Sequence, residues 1–571
     1  MRLLALVASV LLLIAVACGS QAEPAGVAPA AAVATQAETA SPPAAETGSV
    51  STVVPTPETQ AAPPDSAAIK GGTFIRLYSD PPTLDPHLAG DTTSAGIIVE
   101  VFGGLATIDK DLQIVPDLAE DWDITNGGRT FTFHLRKNAT FHDGRQVTAQ
   151  DVKWSIERAG EPETQAPTVD LFLGDIVGFK DKLNGLASDV SGVRVIDDRT
   201  VEITADAPKA YFLAKLTYPT SFVLDKNNVT KDASWLRAPN GTGPFRLAEY
   251  IPGEMIRLTG FEGYHLGPPK LAEVLHILSG GDALLMYEND EIHMTGVSLT
   301  NLDSILDPAN PLNRDVQQAP PSFSTYYMGM NVNEPPFDDV KVRLALNYAI
   351  DRDTISTTLL KGLLVPATGV LPPGFPGYQE SVSDYSFDPE KAKRLLSESK
   401  YGANMDEFPN ITLSLPGSFG SSISASTEAI LEMWRQNLGI EVDVLQTEWA
   451  TYLQDQRAGR FQMYGGSGWI ADYPDPENFL DILLHSNSSN NATGYSNPVV
   501  DGLLEQARIE QDQEKRFDLY NQAEKTILKD APWIPLWHGD TGFVLVKPNV
   551  RDYFLFPMVI PKLRHVYFTG Q

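Results

Sequence analysis

Apolar and polar positions alternate along residues 130–135 (TFTFHL), which predicts a strand with one face buried. Residues 73–78 (TFIRLY) read as a strand after the folding signal Lys70-Gly71-Gly72. Val193, Val195, Val201 and Ile203 bracket Asp197-Asp198-Arg199, the pattern of a hairpin. Elsewhere the period becomes helical. Val152 and Ile156 share a face behind Thr148, an N-cap with Asp151 three residues on. Residues 340–350 and 429–438 read as helices; Gly439 stops the second, and 440–445 follow as a strand. Asp388-Pro389 starts another helix, with proline at its first position. Residues 326–332 read as a buried strand and 498–527 as a charged helical stretch. Strands alternate with helices throughout the body, so the predicted class is α/β. No self-similarity appears at a period of about 20–50 residues.

The first 69 residues break this pattern. Arg2 precedes an apolar run over 3–16. At roughly 14 residues this run has the length of a signal h-region and falls short of the ~20 needed to span a membrane. Ala15 and Ala17 precede Cys18, and Gly19-Ser20 follow it. This arrangement resembles a bacterial lipoprotein signal, although Ala15 stands where a larger aliphatic residue is usual. The resemblance implies a signal peptide over 1–17, cleavage before Cys18 and a lipid on its thiol. Two or more acyl chains would hold the protein firmly on a membrane. From 19 to about 68 the chain is Ala, Pro, Thr, Ser and Glu with few large apolar side chains. Such a stretch cannot offset chain entropy by burial, so 18–69 reads as a lipidated cysteine and disordered tether. Its expected r.m.s. span is roughly 40 Å.

A chain of 571 residues is too long for one core, and two or three lobes are expected. Lys and Arg number 43 against 73 Asp and Glu, a net charge of -30. That balance argues against nucleic acid, since no surplus of cations can replace phosphate counterions. Cys18 is the only cysteine, which excludes an intramolecular disulfide and a cysteine-based zinc site. The nine histidines show no H-x-x-x-H or HExxH spacing. His142 falls in a turn with Asp143-Gly144, and His485 reads as solvated. No cofactor or metal is expected. A surface hydrolase is the competing class, but the sequence has no G-x-S-x-G elbow and no P-loop.

Six segments carry a family resemblance: 79–86 (SDPPTLDP), 116–122 (PDLAEDW), 131–158 (FTFHLRKNATFHDGRQVTAQDVKWSIER), 241–245 (GTGPF), 340–352 and 468–480 (GWIADYPDPENFL). Together, in this order and behind a lipoprotein-like signal, they resemble the peptide, dipeptide and nickel substrate-binding proteins of ABC importers. The resemblance implies a two-lobed, periplasmic-binding-protein-like fold with a hinge and an extra domain inserted in lobe I. Lobe I would hold 70–103, 209–318 and 531–571, the inserted domain 104–208, and lobe II 319–530. It further implies an extracytoplasmic monomer with no catalysis, anchored to the cell membrane, that delivers a peptide to a permease and its ATPase subunits.

By the same resemblance Asp472 would pair with the ligand's α-ammonium, with Asp475 as the alternative or as a helix cap before Glu477. Gly468, Trp469 and Ile470 would run beside the ligand like an added strand. Some relatives carry a basic residue where Gly466 stands, so one partner for a ligand carboxylate is missing. Thr83 and Leu84, and Thr242 and Gly243, are the expected contacts from lobe I, with Tyr327, Asn331 and Asn333 from lobe II. An oligosaccharide is the runner-up ligand, with Tyr464, Trp469 and Tyr473 as its stacking platform.

Overall fold

A computed structural model describes residues 68–570 apart from 231, 381, 384, 418–421 and 540–541. The signal segment, Cys18 and nearly all of the tether lie outside the described residues.

Two mixed sheets form the frame. In the first, the central strand Thr73–Leu77 runs parallel to Glu273–Ile277 on one side and Met294–Gly296 on the other. Met255–Gly260 and Phe245–Ile251 extend one edge, and Gly542–Val546 and Val316–Ala319 the other. The second sheet runs in the order Leu364–Pro366, Trp533–Gly539, Ser324–Met330, Met463–Tyr464, Ile411–Pro416, Val442–Thr447. A short strand, Gly468–Ile470, also pairs with Ser324–Met330.

The chain crosses between these sheets at two adjacent places. It leaves the first sheet at Ala319 and enters the second at Ser324, then returns between Gly539 and Gly542. Ala319 pairs with Gly542, and Thr325 with His538, so the crossings lie side by side. The return was expected near 531. The strand Trp533–Gly539 is buried along its whole length within the second sheet, which moves the crossing about ten residues later.

A third, antiparallel sheet sits within 104–208 in the order Ala119–Thr125, Thr130–Leu135, Thr200–Thr204, Val193–Asp197. The alternation that predicted its strands buries Phe131, Phe133, Val201 and Ile203. The helix Ala149–Ala159 adds Val152 and Ile156 to the same core. Its cap is the expected one: Thr148 Oγ1 accepts from the Asp151 N–H, and Asp151 Oδ2 accepts from the Thr148 N–H. These bonds satisfy donors that the first turn leaves free. The helices Val340–Tyr348, Pro389–Ser397 and Ala425–Leu438 also form where expected. The late charged stretch is two helices, Pro498–Ile509 and Gln513–Asp530.

One apolar cluster runs from Phe131 and Phe133 of the third sheet to Phe479 and Leu480 of the helix Glu477–Leu484. Its bridge is aromatic. Phe172 stacks on Tyr218 at 3.7 Å between ring centroids and meets Tyr473 edge-on at 6.2 Å.

Candidate functional site

A cavity of about 160 Å³ is walled on one side by the second sheet and the segments packed on it, and on the other by loops and a helix from outside that sheet. The second-sheet side supplies Tyr327, Trp449, Arg457 and the stretch 467–472. The other side supplies the start of the helix Thr92–Val101, residues 217–219 with Phe222, and Val559, Ile560 and Pro561.

Asp472 is placed by one neighbour. Its backbone N–H donates to Asn478 Oδ1 at 2.9 Å, and Asn478 Nδ2 donates to its Oδ2 at 3.1 Å. Trp469 Nε1 donates to the same Asn478 oxygen at 3.2 Å, so the indole and the carboxylate are set by a single amide. Burial pushes the Asp472 pKa up from 3.8 to about 7; the Asn478 bond opposes this and the Glu477 charge adds to it. Among the described residues no cation lies within 4.0 Å of this carboxylate. A poorly solvated carboxylate without a counter-charge favours a cationic partner in the cavity.

Gly468, Trp469 and Ile470 pair through one edge with Tyr326, Thr325 and Ser324. Among the described residues no strand pairs with their other edge, and all three line the cavity. Tyr327 also lines it, held by a stack on Trp533 at 3.6 Å.

The expected first-lobe contacts do not reach the cavity. Leu84 is core, and Thr83 accepts from the Asp85 N–H. Asp85 in turn takes two bonds from Arg158, at 3.1 and 2.6 Å. Segment 79–86 thus clamps onto the end of segment 131–158. Thr242 is fully buried, and a side chain at Gly243 would meet the Glu100 carbonyl at 2.6 Å. His142 Nε2 lies 3.0 Å from the Gly243 carbonyl, so these segments too are scaffolding. Asn331 bonds Glu334, and Asn333 bonds the Gly494 carbonyl, so both shape a turn outside the cavity. Asp475 caps Glu477 and pairs with Arg516 at 2.6 Å. Tyr464 and Tyr473 are core, so of the three aromatics only Trp469 reaches the cavity. His485 was read as solvated and is instead buried, its Nδ1 accepting from the Asn487 N–H. Among the described residues no cluster suits a metal.

Several site residues carried no signal in the sequence. Asp91 caps the helix Thr92–Val101 through the N–H groups of Thr93 and Ser94. Tyr218, Trp449 and Arg457 come from segments whose patterns are ordinary for surface helices and loops. Only their meeting in the fold marks them.

Beside the cavity lies a buried ionic cluster. Lys215 is 2.8 Å from Glu477 and 3.0 Å from Asp175, and Lys209 also pairs with Asp175. Asp175 is held down at about 2 by these two lysines, which outweigh its burial. The flanking carboxylates raise Lys215 despite its burial. The cluster joins the helix Phe212–Lys215 to the helix Glu477–Leu484 of the second-sheet side.

The comparisons with known proteins agree with this architecture. Residues 113–491 match the family model described as bacterial extracellular solute-binding proteins, family 5 middle. The periplasmic oligopeptide-binding protein OppA of Escherichia coli is 32% identical over 83% of this chain and 88% of its own length. The probable deoxycholate-binding periplasmic protein YgiS of the same organism is 32% identical over 83% and 89%. The structure of the E. coli murein tripeptide-binding protein MppA superposes with a TM-score of 0.80 at 28% identity, covering 88% of this chain and all of its own. The unliganded open form of MppA, also 28% identical and covering 89% and 99%, gives 0.64. These neighbours are two-lobed binding proteins of mixed α/β content, like the frame described above. The chain belongs to the bacterial extracellular solute-binding proteins of family 5.

Proposed function

We propose that this protein captures a short peptide by its free amino end and delivers it to the permease and ATPase subunits of an ABC importer. The observation that carries the reading is the Asp472 carboxylate, without a counter-charge, beside the free edge of Gly468–Ile470. The carboxylate suits an ammonium, and the edge suits the N–H and C=O groups of an extended backbone. The names of OppA and MppA, both peptide binders, support the same class. An oligosaccharide loses its support, because Tyr464 and Tyr473 are core. The protein binds without turnover and acts as a monomer, held at the outer face of a membrane through lipid on Cys18. Lobe I comprises 70–103 and 209–318 with the end of the chain from about 540; 104–208 is its inserted domain, and 319 to about 539 is lobe II.

YgiS makes a carboxylated apolar ligand the second reading, and the apolar walls Val99, Ile108, Phe222 and Ile560 favour it. Thermal unfolding of the full-length protein separates the two. At about 100 times the dissociation constant a ligand adds roughly 2.7 kcal/mol of stability. Peptides with a free amino end should raise the melting temperature, and their N-acetylated forms should not. Asp472→Asn should weaken free-amine peptides by about 10-fold to 100-fold, the value of a charge-assisted bond. Equal losses for acetylated and free peptides would refute the ammonium anchor, and a response to deoxycholate alone would favour the second reading.

A further inference from the structure

Arg457 ends the helix Trp449–Arg457 and lines the same cavity as Asp472. Its guanidinium carries five N–H donors. Among the described residues it makes one hydrogen bond, from Nη2 to the Gly90 carbonyl at 2.7 Å, and has no carboxylate within 4.0 Å. The carboxylate that acts on it through space is Asp91, whose Oδ1 is already taken by the N–H groups of Thr93 and Ser94. Burial works against this cation, so the fold keeps an incompletely paired arginine in a cavity wall at a cost. Gly90 fits the arrangement, since any Cβ there would collide with the guanidinium. The Tyr218 hydroxyl is in electrostatic reach of both Asp472 and Arg457, which puts the two charged groups around one compact space.

We propose that Arg457 is the carboxylate-recognising residue of this site: its free N–H groups take the C-terminal carboxylate of a short peptide whose ammonium sits on Asp472. This rests on the peptide reading above. The geometry then selects for a zwitterion, and ligand length is set by the span between the two groups. Two parallel N–H···O bonds from one guanidinium match a carboxylate, and an amide would lose one of them together with the charge. It also replaces, from a different element, the basic group that Gly466 does not provide.

The test uses the full-length protein with random libraries of tripeptides to pentapeptides, made once as free acids and once as C-terminal amides. Bound peptides are identified by mass spectrometry, and affinities of the recovered sequences are measured in both forms. Free acids should bind about 10-fold to 100-fold more tightly than their amides. Arg457→Gln should remove that preference, while Arg457→Lys restores part of it. Melting of the ligand-free variants checks that each is folded. Equal binding of acids and amides by the parent protein would overturn the role of Arg457 and leave the peptide reading standing. So would an Arg457→Gln variant that loses affinity equally for both, because the arginine would then serve only to latch Gly90. Failure of every peptide to bind would overturn both readings at once.

Discussion

At the scale of single residues, the raised pKa of Asp472 makes ligand capture a proton-linked event. The folded, ligand-free protein keeps a proton there up to about pH 7, whereas the unfolded chain gives it up near 3.8. This group's contribution to stability is therefore full at low pH and is lost as pH rises towards 7. An ammonium ligand selects the ionised form, so binding near pH 6 should release close to one proton. Calorimetry in two buffers of different ionisation enthalpy measures that release. Affinity should fall by up to about tenfold per pH unit below 7, and Asp472→Asn should abolish both effects. The unpaired carboxylate was legible in the sequence because a recognisable segment surrounds it. Its pKa was not, since that depends on the walls the remainder of the chain builds around it. Thr83, Leu84, Thr242 and Gly243 stand in equally recognisable segments and do not line the cavity. Their neighbours Asp85 and His142 hold segments distant in the chain against each other, and a motif alone does not separate holding a fold from holding a ligand.

At the scale of elements, local periodicity was a reliable guide where one face is buried. The alternation in 130–135 and the Thr148–Asp151 cap both map onto the structure directly. Thr148→Ala should cost about 0.5–2 kcal/mol, read as a lower urea midpoint at unchanged slope. The loss belongs at the upper end, because Asp151 also holds Arg145, which reaches Asp225 at 2.8 Å. What periodicity could not give is partnership between elements. Trp533–Gly539 is buried along its whole length, yet nothing local says which sheet receives it. The short helix Phe212–Lys215 likewise gives no hint that Lys215 ends beside Glu477, since 262 positions separate them. Lys215→Met leaves Glu477 buried without its partner, at about 3–5 kcal/mol to the closed arrangement.

At the scale of the molecule, that cost has an outlet. Rotation of the lobes would expose Glu477 to water, so Lys215→Met should favour the open form rather than unfold the chain. The lower TM-score against the open form of MppA, 0.64 against 0.80, sets the lobes described here apart from the open arrangement. Small-angle scattering should show the parent protein contracting on addition of ligand. Lys215→Met should need about tenfold or more ligand for the same contraction, since ligand must now supply what the ion pair supplied. A variant that contracts at the parent's ligand concentration would show that the pair plays no part in closure. The fold class was legible at this scale from alternating strands and helices, and the lobes from the family resemblance. The meeting of Arg457 and Gly90 was not, because no local pattern links residues so far apart in the chain. The two adjacent crossings between the sheets add a mechanical consequence. Two attachments set side by side resist twist and sideways slip, so the lobes should swing like a door on one pin rather than a ball in a socket. Capture should then follow a single angular coordinate, which two fluorophores placed far from the pin would report.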